Sequence, residues 1–142
     1  MKPDPDGPGN LTPTAGKWWK QAEADLRAAR SSSVSGSFEW ACFQSQQAGE
    51  KALKSYLYQK GYTSIITHSL KELVRECDRI EKSYSDLMFS ARTLDMHYIP
   101  SRYPNGLAGD LPPAEFYEKE DAEKCIASAE SILARVRKSL KS

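Results

Sequence analysis

The clearest hydrophobic period in the chain runs from Phe38 to Tyr58. Apolar or small residues recur at Phe38, Ala41, Cys42, Ser45, Ala48, Gly49, Ala52, Leu53, Tyr56 and Leu57, the three-then-four spacing of a core-facing helical stripe. Extended from Ser37 to about Lys60, this helix would be roughly 35 Å long at a rise of 1.5 Å per residue. The small side chains Ala41, Ser45, Ala48, Gly49 and Ala52 let neighbouring helices approach closely. The pattern predicts a central helix with close neighbours.

The same period marks the other elements. A first helix is predicted over about Ala15–Ala29, with Trp18, Ala22, Leu26 and Ala29 on one stripe. Trp19 points elsewhere, since adjacent residues differ by about 100° around a helix, so one tryptophan anchors the core and the other a rim or partner surface. Ser31–Ser37 reads as a loop ending in Ser37 as N-cap, and Gly61 as the residue that closes the central helix. Ile65 and Ile66 lie in a short extended crossing. Ser69-Leu70-Lys71-Glu72 offers a capping box for a helix to about Lys82, with Leu70, Leu73, Val74, Cys77 and Ile80 inward. Ser83-Tyr84-Ser85-Asp86 offers a second, opening a helix through Leu87, Ala91 and Leu94 that lasts until Pro100. Prolines and glycines exclude a helix between Pro100 and Pro113. The last helix, about Lys119–Leu140, has acids at its start and bases at its end, as the helix dipole favours. No segment has period two, so the expected fold is all-α, an up-and-down bundle of four long helices plus one shorter helix.

A chain of 142 residues fits one domain that buries about two thirds of its unfolded surface. Residues 15–142 form that domain, and the proline-rich stretch 1–14 reads as a disordered tail or a linker. With 20 basic and 19 acidic residues the net charge is +1, so binding of nucleic acid would need a local basic face. Cys42, Cys77 and Cys125 each sit at apolar helical spacing and read as buried thiols in a reducing compartment. No run is long enough for a membrane span and no signal-peptide core is present. A cytoplasmic protein with no membrane partner is expected.

Four separate blocks then carry a resemblance. Trp19 with Gln21-Ala22 and Asp25-Leu26, the run Gln46-Gln47-Ala48-Gly49-Glu50-Lys51-Ala52-Leu53-Lys54, His68-Ser69-Leu70, and Leu94-Asp95 with Tyr98-Ile99-Pro100-Ser101-Arg102-Tyr103-Pro104 resemble, in that order, the HEPN domain. The likeness spans about Lys17 to Lys138. Within the family, Glu39–Phe43 is similar to the domain at the end of sacsin, while the Gln-Gln and Arg-Tyr-Pro blocks are similar to free-standing bacterial and archaeal members. The resemblance implies a helical bundle that commonly forms a homodimer and a role tied to nucleotides. Members are proposed to bind nucleotides, to partner nucleotidyltransferases, or to act as metal-independent ribonucleases.

The ribonuclease branch uses an arginine and a histidine at a spacing that Arg92 and His97 match. His97 would shuttle the proton of a ribose 2′-hydroxyl and Arg92 would hold the phosphate. Residues five apart on a regular helix differ by about 140° in direction, so both face one phosphate only if the helix ends or distorts between them. Thr93 departs from the polar Asn, Asp or His usual in that branch. The alternative is a solvated pair and a cap near a helix end.

In Arg102-Tyr103-Pro104, the proline biases Tyr103 to an extended conformation that can present ring and guanidinium together. Arginine suits a phosphate and tyrosine a base or ribose, which makes Arg102, Tyr103 and Tyr98 candidates for a nucleotide site. Otherwise Tyr98 and Tyr103 pack the loop on the bundle and Arg102 pairs with a carboxylate such as Asp95. Lys51 and Lys54 would complete a positive pocket for a triphosphate if their face meets this loop, and are a solvated edge if not. His68 reads as a helix-start residue. Two histidines and three dispersed cysteines show no zinc spacing, and no Gly-rich phosphate loop or serine nucleophile motif is present, so neither metal nor cofactor is expected. The expected function is a homodimer binding a nucleotide such as ATP or GTP, or a related polyanion. The alternatives are a ribonuclease or toxin of the Arg/His type acting on RNA, and a dimerisation module beside a chaperone-like domain.

Overall fold

The computed structural model describes residues 9–141, and helices and turns are the only regular elements among them. Helix α1 spans Pro13–Val34, with the Thr12 hydroxyl accepting from the Ala15 amide at 3.2 Å. Proline at the first helical position loses no intrahelical bond, so the helix starts ahead of the predicted Ala15. It also runs through most of the serine stretch, leaving a tight turn in which Gly36 takes a φ of +86°. Ahead of α1, the Gly9 amide donates to the Leu140 carbonyl (3.3 Å) and the Thr12 amide to Gln59 (3.0 Å), so residues 9–12 lie on the bundle. The rest of the predicted tail, residues 1–8, lies outside the described residues.

Helix α2, Phe38–Gln59, is the central element, and Ser37 stands at its N-cap without a side-chain bond. It packs against α1 and against the helices that follow. Gly49 shows how closely they approach. A Cβ there would lie 2.8 Å from Leu70, 3.1 Å from Leu94 and 3.3 Å from Ile132, side-chain methyls from three different helices. Leu53, Tyr56, Leu57, Leu73, Val74 and Val136 fill the surrounding core, each contributing about 1.5–3 kcal/mol by burial. Trp19, and not Trp18, carries the inner stripe of α1. It is 2% exposed, while Trp18 sits at the rim against Tyr58 with ring centroids 5.5 Å apart.

Helix α3 covers Leu70–Ile80. The second predicted capping box does not form, because Ser83 adopts a φ of +82° and turns the chain into a 3-10 turn over Tyr84–Leu87. Asp78 instead accepts from the Ser85 amide at 3.1 Å. Helix α4, Met88–Asp95, is eight residues long. The expected fourth long helix is therefore short and ends before Pro100, with turns over residues 96–102. A four-residue helix α5, Pro113–Phe116, has no counterpart in the sequence pattern, whereas α6, Lys119–Leu140, has the predicted bounds and a Glu118–Asp121 capping box. The bundle thus has three helices of 22 residues with shorter ones between them. Among the described residues no helix is long and apolar enough to cross a membrane.

Candidate functional site

Gln46, Glu50 and Lys54 follow one another at four-residue steps on α2 and form one buried polar face. Lys54 donates to Glu50 Oε2 at 3.0 Å, and Gln46 Nε2 bonds both Glu50 Oε1 (3.4 Å) and the His68 carbonyl (3.3 Å). Glu50 Oε2 also meets His68 Nδ1 at 3.2 Å. From the other side, the Asp95 carboxylate at the end of α4 accepts from the Leu70 amide (2.8 Å), the Lys71 amide (3.1 Å) and the Ser69 hydroxyl (3.3 Å). A negative charge on the free amides of a helix start is favourable. The Ser69 box is completed on one side only, by the Glu72 amide donating to Ser69 Oγ (3.3 Å), because the Glu72 carboxylate turns to Thr67. These bonds fix the His68 corner and leave its side chain 58% exposed.

Tyr98 lies almost parallel to His68, with centroids 5.7 Å apart and planes at 18°. Above Tyr98 sits the Arg102 guanidinium, 4.6 Å from its centroid, 4.5 Å from that of Phe43 and 5.1 Å from that of Tyr103. Cation–π contacts of this kind attract a guanidinium to the faces of the rings. Arg102 Nε donates to the Tyr98 carbonyl at 2.9 Å, and its terminal nitrogens have no acceptor among the described residues. The pairing of Arg102 with Asp95 does not occur, since Asp95 is engaged by α3. Tyr103 is extended as its proline predicts and half exposed, and half-exposed Trp40 meets Phe43 edge-on at 6.1 Å. The result is a surface ridge of aromatic rings around one arginine and one histidine.

The other candidates lie elsewhere. Lys54 is 2% exposed, neutralised by Glu50 and 5.4 Å from the Trp18 ring, and Lys51 pairs with Asp25 on α1. The three-cation pocket is not built. Arg92 is exposed on α4 with no side-chain partner among the described residues, whereas His97 turns inward, its Nδ1 2.8 Å from the Tyr117 hydroxyl. His97 also meets Cys42 and Cys125, whose sulfurs and its ring nitrogen lie within 4.8 Å of one another. The hydrogen bond from Cys42 and then that from His97 favour charge on Cys125 and lower its pKa to about 6, against burial. That same bond to Cys125, together with burial, raises Cys42. Burial acts to lower His97, but its hydrogen bond to Cys125 and the charges of Cys125 and Asp121 outweigh it, and its pKa is raised.

An exposed imidazole anchored by a buried carboxylate, beside an arginine and open rings, can stack a base, hold a phosphate and exchange a proton. Sequence reasoning does not assign His68, Glu50 or Phe43 to the site. The four-residue rhythm of Gln46, Glu50 and Lys54 is the available signal, since polar residues on a core stripe need partners. The blocks that carry the resemblance, around Glu50, His68 and Tyr98 to Arg102, are the ones the fold joins.

Comparison with known proteins bears on the family and the fold. The model of the HEPN domain matches residues 15–139. A Methanocaldococcus jannaschii protein named "Putative toxin MJ1304" is 31% identical over 130 residues, which is 86% of this chain and 85% of that protein. The crystal structure of TT1696 from Thermus thermophilus superposes with a TM-score of 0.85 at 36% identity, covering 91% of this chain and all (100%) of that one. ST0689, described as an archaeal HEPN homologue, gives 0.74 at 37% identity over 92% and 100% of the two chains. A HEPN domain protein of Thermotoga maritima, tm0613, gives 0.69 at 27% identity over 87% and 97%. The chain belongs to the HEPN domain family.

Proposed function

We propose that this HEPN domain binds nucleotide units at the ridge formed by His68, Tyr98, Arg102, Tyr103, Phe43 and Trp40, and that its ligand is single-stranded RNA. The observation that carries this reading is Arg102, its guanidinium carbon within 5.1 Å of three ring centroids and its terminal nitrogens unengaged among the described residues. Arginine beside exposed rings suits a phosphate next to a stacked base. A free triphosphate such as ATP or GTP asks for further cations, and Lys51 and Lys54 are committed to Asp25 and Glu50. Calorimetric titration with a single-stranded oligoribonucleotide, ATP and GTP tests the reading: the RNA should bind more tightly than either nucleotide, and loss of that order, or binding unchanged in Arg102→Ala, rejects it.

A second reading concerns cleavage. The name of the Methanocaldococcus relative supports a toxin-like role, and here the histidine placed for proton transfer is His68, anchored by Glu50. His97 is engaged by Tyr117 and the cysteines. If the RNA is cut, His68→Gln should abolish cleavage while His97→Gln retains it. We also propose a homodimer, supported by two exposed large apolar side chains, Phe89 on α4 at 81% and Met96 at its C-cap at 65% exposure. Light scattering at micromolar concentration should give a dimer mass, and Phe89→Glu should give a monomer.

A further inference from the structure

We propose that Cys42, His97 and Cys125 are a binding site for a soft metal ion, Zn²⁺ in the first place. The three residues come from α2, from the turn after α4 and from α6, and their ligand atoms lie within 4.8 Å of one another. Tetrahedral zinc, with Zn–S of about 2.3 Å and Zn–N of about 2.0 Å, sets such atoms roughly 3.5–3.8 Å apart. Closing the set therefore asks for about 1 Å of approach between side chains.

The donor set selects the ion. Two thiolates and an imidazole suit Zn²⁺ or Cu⁺ and disfavour the oxygen-seeking Mg²⁺ and Ca²⁺. Two thiolates also balance a divalent charge, which matters where both cysteines are fully buried. With Nδ1 held by the Tyr117 hydroxyl at 2.8 Å, Nε2 is the nitrogen left for the ion, and Tyr117 is the outer partner that fixes ring direction. His97 is only half-buried and gives the ion its way in. A fourth tetrahedral position remains for water or another donor. Since His97 directly precedes Tyr98, a bound ion would brace the ridge segment from behind.

Cobalt reports on such a site. The reduced full-length chain, titrated with Co²⁺, should develop a thiolate-to-cobalt charge-transfer band that saturates at one ion per chain and is displaced by Zn²⁺, and Zn²⁺ should raise the melting temperature. Cys125→Ser and His97→Gln should each weaken binding at least tenfold, while Cys77→Ser, whose sulfur lies by the Leu53 carbonyl, should leave it unchanged. Absence of the band overturns the proposal, as does a band that survives unchanged in Cys125→Ser. Should Cys125→Ser fail to fold, half-buried His97→Gln decides: an unaltered cobalt spectrum and affinity in that variant reject the site.

Discussion

His68 and His97 are each held at Nδ1 by one oxygen, Glu50 Oε2 at 3.2 Å and the Tyr117 hydroxyl at 2.8 Å, yet they do opposite things. The His68 ring stands on the surface, stacked on Tyr98 beside Arg102. His97 faces inward, edge-on to Tyr117 and against two thiols. The difference lies in what anchors each residue's backbone. His68 is pinned from behind by Gln46 and by the Asp95 cap on α3, so its side chain can only point out. His97 follows the end of α4 and rolls under the turn that leads to Pro100.

The largest expected effect tests the surface anchor. Glu50→Ala would leave Lys54, 2% exposed, as an uncompensated buried charge, at about 3–5 kcal/mol of stability. Denaturant unfolding measures this, and a loss below about 1 kcal/mol would mean that Lys54 reaches water. Next comes the ridge itself. Tyr103→Ala should cost about 1–3 kcal/mol of RNA affinity while leaving the melting temperature close to that of the parent, since the ring is half exposed. Tyr117→Phe should do the reverse, removing about 1 kcal/mol of stability through the lost His97 contact and leaving RNA affinity unchanged.

A pH profile tests a third anchored group, the Glu81 carboxylate held by Arg135 and Ser139. Burial acts to raise the Glu81 pKa, but hydrogen bonds from Arg135 and Ser139 outweigh it and the net shift is downward. With the folded value below the unfolded one, the stability Glu81 contributes is present above the ordinary carboxylate pKa and is lost as pH falls through its depressed value. Thermal melts from pH 6 downward should show this acid limb, and Arg135→Met should flatten it. The smallest effect is expected at Arg92, exposed and without a side-chain partner among the described residues. Arg92→Ala should change stability by no more than about 0.5 kcal/mol.

Periodicity carries most of the fold. α2 and α6 end where their stripes and caps predict, because core-facing stripes of apolar and small residues leave one way to pack. The short α4 is not visible in the pattern, since Ser83 looks like a cap in sequence but takes a left-handed conformation in the fold. For the site, local chemistry is legible where one segment holds it, as in the extended Tyr103 beside Arg102. What joins distant segments is not. Nothing in a single sequence says that Asp95 reaches the start of α3, that Glu50 reaches His68, or that Cys42 on α2 faces Cys125 on α6.

The most direct measurement is a fluorescence anisotropy titration of one single-stranded oligoribonucleotide into the parent chain, Arg102→Ala and Arg92→Ala side by side. A site at the ridge predicts that Arg102→Ala weakens binding by about tenfold or more, as loss of a charged hydrogen bond does, and that Arg92→Ala binds as the parent does. Binding that is lost in Arg92→Ala and intact in Arg102→Ala would contradict the account and return the site to the Arg92 and His97 spacing.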